Sequence, residues 1–210
     1  MQLAAFTHGF VLALGLIVAL GPQNVFIFQQ GVAQPRLIRA LPTVLTASVA
    51  DTFLVLAAVL GVSVVVLRVP WLQTVLFGAG FLFLLYVGWA LYSAPALDAD
   101  PEVAEFLGAR EQIGFTASVS VLNPHAILDT IGVIGTNALA YNGPSRWVFT
   151  AGCLLVSWGW FGGLAAAGWA LAESANADRW LRYLNPVSAV VVWAVACYMG
   201  WRLLRTVAIV

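Results

Sequence analysis

Two aspartates, Asp51 and Asp129, each stand near the middle of a long apolar run, and the chemistry they offer is the binding of a positive charge. A central Asp costs a membrane helix about 2.5 to 3.5 kcal/mol on insertion scales, so two of them need a compensating partner. The chain has no Lys, and every Arg falls at the end of an apolar run or between runs. No permanent basic partner therefore lies at matching depth, and a bound cationic solute is the partner that fits. The competing reading is structural: the acids are protonated, or bonded to side chains such as Ser48, Thr52, Thr130 and Asn137 as glue between helices. His125 lies four residues before Asp129 and so shares its helical face. It either exchanges a proton with the acid or holds it ionised, or is simply a local hydrogen-bonder at a helix start. His8, at the outer end of the first run, offers less.

Two proline breaks accompany these acids. Gly21-Pro22-Gln23-Asn24 interrupts the first apolar run, and Asn123-Pro124 interrupts the run that carries Asp129. An internal Pro costs about 3 kcal/mol, and lipid offers nothing to the carbonyl it frees, so such a break must face protein or a wet cavity. Each break also starts a half-helix whose opening amides carry partial positive charge and attract an anion. Gln23, Asn24, Asn123 and His125 are the side chains at hand there, and a substrate carboxylate suits them. The plainer alternative at the second site is a helix that begins at Pro124, with the preceding apolar stretch packed as a short helix or lying in the interface. Asn185-Pro186 follows Asp178, Arg179 and Arg182 and reads as an ordinary N-cap and first helical residue.

These groups need helices to hold them, and composition says of what kind. Of 210 residues, 62% are apolar and 9% charged, too little polar surface to cover a water-soluble globule. At about 20 apolar residues per crossing, the length permits roughly six or seven spans. Apolar runs place six, near Ala4 to Gln30, Pro42 to Leu67, Trp71 to Ser93, Gly114 to Ala140, Trp147 to Ala172 and Pro186 to Val207. The first has no preceding Lys or Arg and no small-residue cleavage pattern, so it reads as a retained span and not a signal peptide. The polar stretch 94–113 divides the chain into residues 1–93 and 114–210, two bundles of three spans. Tyr86, Gly88, Trp89 and Leu91 recur as Tyr198, Gly200, Trp201 and Leu203, and Thr46-Ala47 as Thr150-Ala151. Three spans per half is odd, so the second copy enters from the opposite side. The fold expected is thus all-α and membrane-integral, two inverted three-helix repeats with spans 1 and 4 broken.

Other features read as packing. Cys153 and Cys197 lack metal or CxxC spacing. Span 5 carries Gly152, Gly159, Gly162, Gly163 and Gly168, a density that signals tight helix contact. Trp158 and Trp160 lie mid-span, away from the interfaces where Trp collects, so one of them is a candidate cavity aromatic for stacking on a guanidinium. Zero formal charge argues against a nucleic-acid partner. Arg36, Arg39, Arg110, Arg179 and Arg182 on one side face Arg68, Arg146, Arg202 and Arg205 on the other, leaving the orientation open.

Gly21-Pro22-Gln23-Asn24, Asp51, and Leu122-Asn123-Pro124-His125 with Leu128-Asp129-Thr130 together resemble the lysine exporter family, in particular its lysine and arginine branch. The likeness spans the whole chain. It implies a secondary exporter of arginine or lysine in a bacterial inner membrane, without ATP, cofactor or resident metal; a homo-oligomer is compatible with it. Proton antiport on the same carboxylates would cancel the cost of moving the substrate charge, about 2.3 kcal/mol per 100 mV. The rivals are an exporter of another amino acid, a divalent-metal exporter using the two acids and His125, and a membrane enzyme using His125 and Asp129 as an acid/base pair.

Overall fold

The computed structural model describes residues 2–18, 21–61, 70–93, 107–123, 126–127, 130–174 and 177–208. Their regular structure is helical throughout, as lipid demands of a chain that must satisfy its own backbone. The expected first span is two helices, α1 (Gln2–Ile17) and α2 (Pro22–Ala33), set at 81° to one another. A 3-10 turn, Leu37–Ala40, leads into α3, Leu41–Val59. This helix stops short of the expected Leu67 because Gly61 takes up a φ of 96°, the left-handed conformation that closes helices. Next come α4 (Pro70–Ser93) and α5 (Ala109–Val121). The latter starts ahead of the expected Gly114, inside the stretch read as linker. Its first turn is held there by the Gly108 amide, which donates to the Glu111 carboxylate at 2.9 Å.

Leu122 and Asn123 are not helical, and the chain continues through a π-helical turn, Thr130–Gly135, into Thr136–Ala138. Helix α6 (Pro144–Ala172) opens with Pro at its first turn, after Gly143 at a φ of 54°. Helix α7 (Ala177–Ala208) holds Pro186 in its interior, which overturns the reading of Asn185-Pro186 as a helix start. Asn185 is buried, and its Oδ1 accepts a hydrogen bond from Gln29 Nε2 at 3.3 Å. A tertiary amide pair, not a cap, thus occupies the Asn, and α7 runs through the Pro one hydrogen bond short. Among the described residues, three helices are long and apolar enough to cross a membrane, within Leu37–Val59, Pro144–Ala172 and Tyr183–Trp201. The α1–α2 pair makes a fourth if it counts as one span.

Helix α6 is the centre of the packing. Helices α1 and α2 follow it in the same direction, α1 along its first half and α2 along its second, joined by two reciprocal glycine contacts. A Cβ on Gly152 would strike the Phe6 carbonyl and one on Gly9 the Phe149 carbonyl; Gly168 and Gly31 stand likewise against Phe28 and Ala165. The close-contact reading of span 5 therefore holds for Gly152 and Gly168, whereas Gly159, Gly162 and Gly163 meet nothing within 4 Å. Helix α3 crosses α6 antiparallel: Val44 and Ala47 cluster with Phe161 and Ala165, while Val55 and Val59 cluster with Phe149 and Cys153.

Beyond α3, helix α5 runs in the same direction as α3. Thr43 Oγ1 donates to Gln112 Oε1 at 3.0 Å near the starts of both helices, and beyond α5 Val55 and Val59 meet Ile134 of the π-helical turn and Ala138. Helices α4 and α7 form an antiparallel pair with its own core, Leu84, Val87, Val192, Ala196 and Met199, in which Gly88 receives Trp193 and Gly200 receives Phe81. Segments before and after residues 94–113 thus interleave and do not form two separate bundles. Cys153 is buried among these contacts, as expected, but Cys197 is exposed, so packing does not explain it.

The glycine contacts carry a direct consequence. Gly168→Leu should destabilise the protein by about 1 to 3 kcal/mol, the usual cost of overpacking. Gly163→Leu, one turn or so away with open space at its Cβ, should not. Thermal unfolding in detergent separates the two; equal melting of both variants would remove the glycine contacts from the account.

Candidate functional site

The site is built on the two interrupted helices. Gly21 is extended, with φ −97° and ψ 169°, and Pro22 occupies the first position of α2, where its missing N–H has no intrahelical partner to lose. The break leaves carbonyls at the end of α1 without the next turn's amides. The buried Asn24 reaches back to them, its Nδ2 donating to the Ile17 carbonyl at 2.7 Å. Asn123, also buried, plays the matching part after α5. Its Oδ1 accepts from the Ala126 amide at 3.4 Å and its carbonyl from the Ile127 amide at 3.2 Å, the geometry of a cap on the turn that follows.

Between the breaks lies a cavity of about 400 Å³, lined by Gly21, Pro22, Gln23, Asn24 and Asn123. Asp51 reaches it from α3, Thr130 from the π-helical turn and Ser157 from α6. The remaining wall is largely apolar, with Phe161 of α6 and Tyr198 of α7 as its aromatic members. Ser157 Oγ donates to the Asp51 carboxylate, and the next residues repeat the link, Trp158 Nε1 donating to Thr52 Oγ1 at 3.1 Å. Two consecutive side-chain bonds thereby fix the α3–α6 crossing and aim Asp51 at the cavity. The volume lies within the range of about 300 to 1,000 Å³ common for small-molecule sites. A carboxylate with a hydroxyl beside it, amide side chains, a helix N-terminus and an apolar wall together suit a small amphipathic ion.

Among the candidates drawn from the sequence, Asp51, Gln23, Asn24, Asn123, Gly21 and Pro22 thus share one cavity. Pro124, His125 and Asp129 lie outside the described residues. Neither Trp158 nor Trp160 lines the cavity: Trp158 is half exposed on the outer side of α6, and Trp160 packs against the Ile27–Ala165 cluster. Of the side chains weighed as structural partners of the acids, Thr52 donates to the Ser48 carbonyl at 2.7 Å and Asn137 to the Val133 carbonyl at 2.8 Å. His8 is engaged by Tyr141 through Nδ1 at 2.8 Å and meets the Phe149 ring edge-on, away from the cavity lining.

Sequence reasoning missed Ser157, Phe161 and Tyr198. Ser157 carried a usable signal, since it stands at the centre of α6 as Asp51 stands at the centre of α3, and antiparallel helices bring centres together. Phe161 follows it by four residues on the same face. Tyr198 was absorbed as part of the repeated Tyr-x-Gly-Trp.

With this geometry in hand, comparison with known proteins assigns the chain. The family described as LysE type translocator matches residues 14–202. The chain is 50% identical over 196 residues to the "Putative amino-acid transporter YisU" of Bacillus subtilis (strain 168), covering 93% of this chain and 89% of that protein. It is 33% identical over 200 residues to the arginine exporter protein ArgO of Salmonella typhimurium (strain LT2), covering 93% and 92%. No solved structure matches it. A match over nearly the whole chain, together with apolar helices of membrane-crossing length, makes this a multi-pass membrane protein and a transporter, not an enzyme: the chain belongs to the LysE family.

Proposed function

We propose that the protein is a secondary transporter that exports a basic amino acid, arginine or lysine, across a bacterial inner membrane. One observation carries the reading: the interruption at Pro22, the interruption after α5 and the mid-helix Asp51 all open on one cavity. The substrate carboxylate sits at the first turn of α2, beside Gln23 and Asn24, where helix amides favour an anion. Its cationic groups sit at Asp51, with Asp129 as the second acid. The apolar wall takes the methylenes between. Resemblance to an arginine exporter over 93% of the chain supports the same substrate class.

The architecture we infer is six spans in two inverted repeats, residues 1–93 and 114–210. The directions of helix pairs support it. Exchange of the halves maps the α1/α2–α6 contact onto the α5–α3 contact, and both run parallel. It maps the α4–α7 and α3–α6 contacts onto themselves, and both run antiparallel, as an inverted repeat requires. Gly88 with Trp193 and Gly200 with Phe81 even keep one offset, each glycine seven residues after its own half's aromatic. Rocking about this axis would open the cavity to either side in turn, and a proton exchanged on the same acid would balance the substrate's charge.

Six spans place both termini on one face and residues 94–106 on the other. Reporter fusions at Met1 and Val210 should therefore agree in sidedness, and a fusion after Ser93 should oppose them; three matching reporters would rule the arrangement out. For the substrate, Asp51→Asn and Asp129→Asn keep shape and delete charge. Each should reach the membrane in normal amount and lower export of labelled arginine or lysine from loaded vesicles at least tenfold, a loss of roughly 1.4 kcal/mol or more. Normal export by both variants, or export of manganese in place of the amino acids, would overturn the reading.

A further inference from the structure

Helix α5 carries a stripe of polar side chains, Gln112, Thr116 and Ser120, spaced four residues apart and hence on one face. All three are at most 2% exposed, and the face they share is turned toward α3. From α3 come Thr43 and Ser48, both fully buried. At one end the stripe is satisfied: Gln112 accepts from Thr43 and donates to the carbonyls of Arg39, at 3.1 Å, and Leu107, at 2.9 Å. That end opens among the exposed residues 107–111. Further in, the hydroxyls of Thr116, Ser120 and Ser48 have no hydrogen-bond partner.

Three orphan hydroxyls within two helical turns are out of keeping with a dry helix interface. Each is destabilising when buried and unpaired, and in lipid the alternative partners are fewer still. The contacts of α1 and α2 with α6, by comparison, close on glycine, at Gly9, Gly152, Gly31 and Gly168. The direction of the stripe gives it a destination. Because α3 and α5 are parallel from the Thr43–Gln112 bond onward, Ser120 lies about 12 Å along α5 and Asp51 about 12 Å along α3, at one height. Asn123, just beyond Ser120, lines the cavity with Asp51. An open groove of about 730 Å³ borders the same seam, with Ser120 in its lining beside the exposed Leu45, Val49, Phe53 and Val121.

We infer that the α3–α5 seam is a hydrated hydroxyl track, running from Gln112 past Thr116, Ser48 and Ser120 to Asn123, that carries protons between water at the Gln112 end and the carboxylate of Asp51. Waters bridging these hydroxyls satisfy them and form the chain along which a proton passes; it adds to one Asp51 oxygen and leaves that oxygen into the cavity when the cavity opens to the opposite face, with no other bond changed. The route approaches along the α3–α5 seam and meets the substrate cavity at its end, at Asn123 and Asp51. Among the described residues lining that cavity, the other titratable group is Tyr198 of α7; Cys153 stands one turn before Ser157 in α6. The inference rests on the reading of Asp51 as the transport acid only for its destination; the hydration of the seam stands on its own.

The test has two arms. Thr116→Cys and Ser120→Cys, in the full chain in lipid vesicles, are treated with aminoethyl methanethiosulfonate, and modification is read peptide by peptide against Val121→Cys, on the lipid-exposed side of α5. Because the thiolate in water is the reactive species, the seam cysteines should react at least about tenfold faster than the control. Rates no higher than the control would overturn the track. In the second arm, Thr116→Val removes an unpaired hydroxyl at little change of shape, so folding should be unharmed. Arginine binding should be retained, while the proton movement that accompanies arginine export, followed by a pH dye inside the vesicles, should fall about tenfold and return in Thr116→Ser. Unaltered proton movement in Thr116→Val would also overturn it. If the seam cysteines react fast but the native protein binds no arginine, the track stands and the substrate assignment falls. If arginine is exported but the seam is unreactive, the reverse holds.

Discussion

A backbone interrupted inside lipid must find its hydrogen bonds in the protein, and much of this structure follows from meeting that demand at Ile17 to Pro22. Asn24 closes the gap from within by donating to the Ile17 carbonyl. Helix α6 closes it from outside, as a splint. Its Gly152 lets the backbone of α1 approach on one side of the break, and its Gly168 lets α2 approach on the other. Tight contact above and below leaves Ser157 and Phe161, between them, free to line a cavity. The space for a solute is thus a by-product of where the splint touches and where it does not.

The same helix sets the electrostatics. Asp51 is tolerable at mid-helix because the antiparallel crossing of α3 and α6 delivers Ser157 to it, and the neighbouring Thr52–Trp158 bond keeps the crossing from sliding. One hydroxyl donates to the carboxylate and leaves the rest of its hydrogen-bonding capacity directed into the cavity. Under the function proposed above, the buried acid takes a cation that arrives with its own anion, and the helix start at Pro22 takes the second charge. Zwitterions with a basic side chain meet that description better than simple cations do.

Much of this was legible in the sequence, and for physical reasons. Gly21-Pro22 could be read because a proline in lipid has few explanations, and Asp51 because a central acid has fewer. Charge and hydropathy also placed most helices to within a few residues. What failed was whatever depends on tertiary partners. Asn185-Pro186 looked like a helix start because local charge mimicked a water interface, but Gln29, far away in sequence, gives Asn185 its role. Trp158 was a cavity candidate by depth alone, and depth says nothing about which way a helix face turns; Thr52 turned it outward. Span 5 glycines divide into touching and open ones only once α1 and α2 are laid against them.

Interleaving of the halves has a consequence for synthesis. Helix α4 shares its core with α7, where Gly88 meets Trp193 and Phe81 meets Gly200. Those partners leave the ribosome more than a hundred residues after α4, on the order of ten seconds at ordinary elongation rates. Through that interval the first half sits in the bilayer with its small-residue faces turned to lipid or to whatever insertion factor shields them. Helices α1 and α2 wait similarly for α6. Assembly is therefore late and nearly all at once: the first half is a membrane-inserted but unassembled intermediate, and quality control has one long window in which to act on it.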